Sequence, residues 1–295
     1  MSAATRVLVL GGTAEARRLA ADLVGEGVAV TSSLAGRVSN PRLPAGETHI
    51  GGFGGPEGLA AWIREHGVAA VVDATHPFAA RISATARTAC ERTGVPLLRL
   101  ERPGWSERPE DRWEWVDDLG EAAAAVSRLG SRVFLTIGRQ GLGAFAGVEK
   151  AWFLIRCVDP PEAPLPPRHH VLLDRGPYTI EGELALIDEH GIDLVVTKDS
   201  GGAHTRAKLD AARARGVPVI VVRRPRRAEA ATAHLPSDVL GWLRAVRAAG
   251  SHAGMLAPSD TRFGEDDELL SGNRRAFSPP VKLPGVSCGL EARLR

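Results

Sequence analysis

Cysteine, tyrosine and long apolar runs are scarce in this chain of 295 residues. The three cysteines, Cys90, Cys157 and Cys288, lie far apart and form no CxxC pair. This pattern argues against a disulfide framework or a zinc ribbon and fits a reducing compartment. No apolar run is long enough to span a bilayer, and the first one is too short for a signal peptide. We therefore expect a cytoplasmic protein with no membrane partner.

An excess of charge of one sign is also absent, because the 37 lysines and arginines nearly balance the 35 acidic residues. The formal net charge of +2 gives no global reason to bind nucleic acid, so any preference for anions must be local. We expect no serine nucleophile on a G-x-S-x-G elbow, because the match GVSCG at residues 285–289 lies in the aperiodic stretch near the end of the sequence and not between an apolar run and a helical segment. We interpret His169-His170, in an apparent loop without acidic neighbours, as a surface feature, and we expect no metal site.

What the chain does contain is a regular alternation of short apolar runs and helical segments. Continuous apolar runs that alternate with helices ended by glycine indicate a parallel sheet covered on both faces. The alternation restarts near residue 132, which predicts an α/β fold made of two Rossmann-like parallel-sheet halves. We place one half at 1–130 and the other at 131–250, although strands could be exchanged between them. Residues 251–295 lack periodicity and are interpreted as a flexible tail or an appended extension.

The turn after the first strand reads Gly11-Gly12-Thr13, and glycines there allow the backbone to approach an anion. Ala16 stands in place of a third glycine, so a plain strand-to-helix turn with Thr13 as N-cap fits equally well. The end of the second strand, 31–37, carries hydroxyls and Arg37 but no acid. Folds that bind NAD place an acid there, so this end favours the phosphate of NADP. A solvated Arg37 remains the alternative.

Polar clusters also follow three other strands, at 73–77, 136–141 and 197–202. Ligands of open parallel sheets bind beyond the carboxyl ends of the strands. Capping of the following helices by Thr75, or by Asp199 or Ser200, is the structural alternative. Capping leaves the cations of the last two clusters unexplained, so we predict anionic ligands. The run RRPRR at residues 223–227 is interpreted as a solvated edge.

Five motifs, in this order, resemble those of the precorrin-6A reductase family, which is related to the cobalt-precorrin-6A reductases: LVLGGTAEARRLA, DATHPFA, TIGRQGL, GPYTIEGE and VVTKDSGG. The likeness runs from about residue 5 to residue 249. It implies an active site in the cleft between the two halves. It also implies an oxidoreductase of cobalamin (vitamin B12) biosynthesis that acts on a CH-CH bond. The implied reaction is NADPH-dependent reduction of precorrin-6A to precorrin-6B, by hydride transfer to the tetrapyrrole macrocycle.

On this resemblance we assign the candidate site residues. The cofactor NADPH is expected to contact Gly11, Gly12, Thr13, Glu15, Ala16, Ser33, Arg37, Asp73, Thr75 and His76. The tetrapyrrole is expected to contact Arg139, Tyr178, Lys198, Ser200, Gly201 and Gly202. The candidate proton donors are Lys198, Tyr178 and Asp73, and a bound water would serve as well. A loop brace for His76 and a core aromatic for Tyr178 are the structural alternatives.

Other functions remain open at this point. An NADH-dependent cobalt-precorrin-6A reductase would share these motifs, and an NADPH-binding redox sensor without enzymatic activity would share the cofactor site. A short-chain reductase needs a Tyr-x-x-x-Lys pair, but the single tyrosine, Tyr178, has Gly182 at that spacing. The oligomeric state is not predicted.

Overall fold

The computed structural model describes residues 6–36, 42–162, 164–203 and 205–255. The strands within these residues are β1 (Arg6–Leu10), β2 (Ala29–Leu34), β3 (Glu47–Ile50), β4 (Val68–Asp73), β5 (Leu97–Leu100), β6 (Trp113–Val116), β7 (Arg132–Thr136), β8 (Trp152–Cys157), β9 (His169–Leu173), β10 (Leu194–Lys198), β11 (Val219–Val222) and β12 (Ala231–Ala233). The α-helices are α1 (Ala14–Gly25), α2 (Gly55–Glu65), α3 (Ala80–Thr93), α4 (Leu119–Leu129), α5 (Ile180–Glu189), α6 (Ala207–Ala214) and α7 (Pro236–Met255).

The first sheet has the strand order β12-β5-β4-β1-β2-β3, with all strands parallel. Its central strand β1 is buried on both faces, because successive side chains point to opposite sides of the sheet. Val7 and Val9 pack in the apolar cluster that contains residues of α1 and α7. Leu8 and Leu10 pack in the cluster that contains residues of α2 and α3. Helices on both faces explain the continuous apolar run of this strand.

The second sheet repeats the arrangement, with the parallel order β6-β11-β10-β7-β8-β9. Phe134 and Leu135 of β7 again divide between two apolar clusters. Leu135 packs in the cluster that contains residues of α4, and Phe134 in the one that contains residues of α5 and α6. The prediction of an α/β fold with two parallel-sheet halves is therefore confirmed.

Each sheet takes its strands from both parts of the chain. β6 precedes residue 130 but pairs with β11 of the second sheet, whereas β12 follows β11 and pairs with β5 of the first. Helix α7 also returns to the first sheet, where it joins the apolar cluster of α1. The sheets thus do not divide at residue 130, and the chain connects the two halves through 101–112 and 223–230. We use "first half" and "second half" for the two sheets with their helices.

Three strands were not predicted from the sequence: β3, β9 and β12. All three are edge strands, so their residues are largely exposed and lack a continuous apolar run. His169 and His170 begin β9 rather than lying in a loop, although both are exposed as expected. Helix α7 continues to Met255, beyond the predicted start of the tail, and residues 256–295 lie outside the described residues. Over the part of the chain that is described, no helix is long and apolar enough to cross a membrane.

Candidate functional site

The glycine turn lies against the ends of two strands of the first sheet. Thr13 is the N-cap of α1: its hydroxyl accepts from Ala16 N at 3.1 Å and donates to Ala74 O at 2.9 Å. Gly11 N donates to Ser33 O at the end of β2, at 2.9 Å. Gly12 is exposed, with φ 103°, and no atom lies within 4 Å of the position a Cβ would take. The turn therefore leaves open space in front of a helix N-terminus, where anions are stabilised.

Asp73, the last residue of β4, is 1% exposed and holds the loop that follows it. Its Oδ1 accepts from the hydroxyl of Thr75 at 2.6 Å and from Thr75 N at 3.2 Å. Its Oδ2 accepts from Arg227 Nη2 at 2.8 Å and lies 3.6 Å from Arg99 Nε. Thr75 does not cap a helix, since α3 begins at Ala80. The capping alternative is wrong for this residue.

His76 joins the two halves. Phe78 N donates to its Nδ1 at 3.2 Å, and its Nε2 lies 3.1 Å from the hydroxyl oxygen of Ser200. Because Nδ1 accepts a backbone N–H, the proton of the neutral ring is assigned to Nε2, which then donates to Ser200. Burial, with the positive charges of Arg102 and Lys198 nearby, lowers the pKa of His76 to about 3. The imidazole is therefore neutral at physiological pH.

Lys198, the last residue of β10, also faces the first half. Its Nζ donates to Gln140 O at 3.4 Å and lies 5.3 Å from the centre of the Phe78 ring, within reach of a cation–π interaction. Burial lowers its pKa. The ammonium group thus lies between a motif of the first half and the glycine-flanked turn after β7.

The next residue, Asp199, fixes the loop to the connecting segment rather than to a helix. Its Oδ1 accepts from Trp105 N at 3.0 Å, and its Oδ2 pairs with Arg224 Nε at 3.1 Å. Neither Asp199 nor Ser200 caps α6, whose N-cap is Arg206. The capping alternative is wrong here as well.

The two glycines of this loop allow it to pass close to the connection between the halves. Gly201 and Gly202 have φ values of 64° and 72°. A Cβ on Gly201 would lie 2.2 Å from Pro103 O, and one on Gly202 would lie 2.9 Å from Arg102 Cδ. Both positions are therefore restricted to glycine by backbone conformation and by close approach.

Arg102 links this loop to the glycine turn. Its Nε donates to Ser200 O at 2.5 Å, and its Nη1 pairs with Glu15 Oε2 in the first turn of α1 at 2.7 Å. Three of the predicted clusters, at 11–16, 73–77 and 197–202, thereby form one continuous polar network between the halves. Sequence reasoning missed Arg102, which lies in an irregular connection without periodicity.

The comparisons with known proteins agree with this arrangement. The family model described as "Precorrin-6x reductase CbiJ/CobK" matches residues 6–244. The chain belongs to this family. A precorrin-6A reductase of Rhodococcus erythropolis is 57% identical over 222 residues, covering 75% of this chain and 90% of that protein. A cobalt-precorrin-6A reductase of Priestia megaterium is 30% identical, covering 75% and 91% of the two chains. The solved structure titled "CobK precorrin-6A reductase" superposes with a TM-score of 0.78 at 45% identity, covering 82% and 97%.

In this member of the CbiJ/CobK family, two arginines of the RRPRR run are part of the network, so the prediction of a solvated edge is wrong for them. The side chains of Arg227 and Arg224 are 5% and 18% exposed, whereas Arg223 and Arg226 are exposed. Arg227 also donates to the hydroxyl of Ser83. The buried arginines neutralise the buried carboxylates at the strand ends, which cannot lie in the interior without partners.

The remaining predicted residues lie elsewhere or outside the described residues. The ring of Tyr178 covers the guanidinium of Arg156 at 3.6 Å, and its hydroxyl donates to Asp174 O at 3.4 Å. Burial raises the pKa of Tyr178. Arg139 Nη1 lies 3.9 Å from the carboxylate of Glu162. Arg37 falls within 37–41, outside the described part of the chain.

Proposed function

We propose that this chain is an NADPH-dependent precorrin-6A reductase, which forms precorrin-6B in cobalamin biosynthesis. The observation that carries the proposal is the polar network that Arg102 completes between Glu15, beside the glycine turn, and Ser200 O, in the cationic loop of the second half. Such a network lets one cleft hold a dinucleotide on one side and a polycarboxylate on the other. Membership of the CbiJ/CobK family supports the reaction.

The glycine turn fits the dinucleotide. The open space over Gly12 and the N-terminus of α1 suit a pyrophosphate, whose charge a helix N-terminus stabilises. Gly11 and Thr13 keep the turn in place through their bonds to Ser33 O and Ala74 O. Glu15 acts through its ion pair with Arg102 rather than by direct contact. Asp73 and Thr75 support the edge of the same cleft.

A preference for NADPH over NADH follows from the end of β2. Residues 31–37 read TSSLAGR, with hydroxyls and a cation but no carboxylate. A carboxylate at this position pairs with the ribose hydroxyls of NAD and repels the 2′-phosphate of NADP. Ser33 and Arg37 are the residues that we propose for phosphate recognition.

The second half fits a substrate that carries carboxylates. Lys198 holds its ammonium group at the boundary between the halves, and the Ser200 hydroxyl lies 3.4 Å from the backbone oxygen of Lys198. Lysine and arginine side chains pair with carboxylates through charge-assisted hydrogen bonds. Arg139, in the turn after β7, adds a further cation at the carboxyl end of the second sheet. The substrate is proposed to be the metal-free tetrapyrrole, because the relative named for it is far more similar than the one named for the cobalt form.

When bound, reduced nicotinamide supplies the hydride. The chain would contribute orientation, exclusion of water and the accompanying proton. Of the three candidate donors, Asp73 is held by Arg227 and Tyr178 covers Arg156. Lys198 is left as the proposed donor, because its ammonium group faces both halves and its burial favours release of a proton.

The test is NADPH oxidation on addition of precorrin-6A, with cobalt-precorrin-6A and NADH as parallel controls. We expect consumption with precorrin-6A and NADPH and little with the other pairings. Consumption with the cobalt form and NADH instead would identify the alternative reductase. Tight NADPH binding without consumption of any substrate would favour the redox sensor.

A further inference from the structure

An open cavity of about 580 Å³ lies in the first half, between α3, β5 and the connection that leads to β12. It is lined by Arg87, Arg99, Arg227, Glu229, Ala230 and Ala231. Three of these six residues are arginines. The two alanines have small side chains, so they leave space for a ligand beside the arginines. None of the ligand contacts assigned above uses this cavity.

Two of the arginines are fixed in the wall. Arg99 and Arg227 are almost fully buried and share the carboxylate of Asp73. Arg99 Nη2 also donates to Ala228 O at 2.8 Å. Over the described residues, the Nε atom of each has no hydrogen-bond partner although it is buried. Arg99 Nε still lies within ion-pair distance of Asp73 Oδ2, at 3.6 Å, and both guanidinium groups keep their positive charge in the wall of the cavity.

The third arginine can move. Arg87 projects from α3 with 40% of its side chain exposed, and it pairs with Glu91 one turn further along the helix. It also donates to the backbone oxygen of Glu229 at the opposite side of the cavity. An exposed pair of this spacing contributes little to stability. An anion in the cavity would compete with Glu91 and with the backbone oxygen of Glu229 for this half-exposed guanidinium.

We propose that this cavity is a binding site for an oxyanion, a carboxylate or a phosphate group, with Arg87 as its mobile cation and Arg99 and Arg227 as its fixed positive wall. The planar guanidinium of Arg87 matches either group with two parallel hydrogen bonds. The carboxylate of Glu229 opposes the anion and weakens its binding. The presence of an anion site does not depend on the proposed function. The identity of the anionic group does: it would be a carboxylate arm of the tetrapyrrole or a phosphate of NADPH.

The first experiment needs no turnover. Binding of inorganic phosphate and of propane-1,2,3-tricarboxylate to the full chain is measured by calorimetry for Arg87→Gln, Glu229→Gln and a control, Arg92→Gln. Arg92 lies on the same helix, is 48% exposed and pairs with Glu57 away from the cavity. We expect Arg87→Gln to weaken binding about tenfold, the size of one lost charged hydrogen bond. Glu229→Gln should strengthen binding, and Arg92→Gln should match the wild type.

Equal binding by Arg87→Gln and Arg92→Gln, or no gain in Glu229→Gln, would overturn the site. Thermal unfolding of each variant shows whether the fold is kept; these are exposed side chains, so we expect little change. Two further measurements on Arg87→Gln then distinguish which molecule carries the bound anionic group. A raised KM for precorrin-6A alone assigns the carboxylate arm, and a raised Kd for NADPH alone assigns the cofactor phosphate. Weaker phosphate binding with both constants unchanged assigns a free inorganic anion.

Discussion

His76 at the end of the DATH motif and Ser200 in the loop after β10 form a hydrogen bond of 3.1 Å between the two halves of the molecule. The two residues are 124 positions apart, so the bond joins strand ends that only the fold brings together. It places a neutral imidazole between the proposed cofactor side and the proposed substrate side. Its contribution can be measured separately from that of either side chain.

The first prediction is a coupling energy between these two residues. His76→Leu and Ser200→Ala should each lower the free energy of unfolding. The loss in the double variant should be about 1 kcal/mol smaller than the sum of the two single losses, which is the net value of one hydrogen bond. Urea unfolding of the four proteins gives this value. The control is His66→Leu, at an exposed histidine of the first half. Its effect on the free energy of unfolding should add to that of Ser200→Ala without coupling. Additive losses for His76→Leu and Ser200→Ala would show that the bond contributes nothing.

The low pKa of His76 predicts a loss of stability in acid. The folded state lowers this pKa to about 3 from the ordinary 6.5, so between these values the unfolded chain binds a proton that the folded chain does not. Stability therefore rises with pH over this window and is lost as pH falls, with a slope of at most about 1.4 kcal/mol per pH unit from this group. The difference in unfolding free energy between wild type and His76→Leu should narrow from pH 7 towards pH 4. A difference that stays constant would show that His76 titrates normally in the fold.

The close approach at Gly201 predicts a large effect of a single methyl group. Gly201 and Gly216 have nearly the same φ, 64° and 63°, so alanine at either costs about 1 to 2 kcal/mol for the left-handed backbone. Only at Gly201 would the Cβ also meet Pro103 O, at 2.2 Å, and Arg224 Nη2, at 2.5 Å. Gly201→Ala should therefore lower the urea midpoint more than Gly216→Ala, where the Cβ would meet no atom within 4 Å. Equal shifts would mean that the loop can move away from the connection without loss.

Asp73 should be among the most sensitive polar positions for stability. Asp73→Asn removes the charge that faces Arg99 and Arg227 in the interior, and breaking a buried ion pair in this way costs about 3 to 5 kcal/mol. Asp188→Asn is the matched control, because it removes the same charge from a solvent-exposed pair with Arg215, and such pairs contribute little to stability. Denaturant unfolding of both variants checks the contrast. Similar losses in the two would mean that water reaches the arginines once the charge is removed.

The sequence predicted the buried part of the fold, because parallel strands covered on both faces must be apolar throughout. β1 and β10 are such strands, and both were found from their composition. The strands β3, β9 and β12 escaped because edge strands keep one side in water and need no continuous apolar run. The return of the chain to the first sheet through β12 and α7 also could not be read locally, since it depends on contacts with β5 and α1.

The same reasoning located three of the polar clusters of the candidate site but not the residues that connect them. Arg102, Arg224 and Arg227 lie in irregular connections, where sequence pattern does not distinguish a buried charge from a solvated one. Arg227 and Arg224 neutralise the buried carboxylates of Asp73 and Asp199, whereas Arg102 pairs with the half-buried Glu15. A buried acid at a strand end is thus the signal that could have indicated buried arginines nearby.

The proposed role of Lys198 gives the last prediction, which separates binding from proton transfer. Lys198→Ala should raise the KM for precorrin-6A and lower kcat, with the Kd for NADPH nearly unchanged, because its Nζ contacts Phe78 and Gln140 rather than the glycine turn. Lys198→Arg keeps the charge but releases protons far less readily, so it should recover KM while kcat stays low. Lys150→Ala, an exposed lysine after the turn of the second half, is the control and should behave as wild type. Full recovery of kcat by Lys198→Arg would show that Lys198 only binds the substrate and that a water molecule supplies the proton. Loss of NADPH affinity with an unchanged KM for the tetrapyrrole would place the cofactor, not the substrate, against the second half.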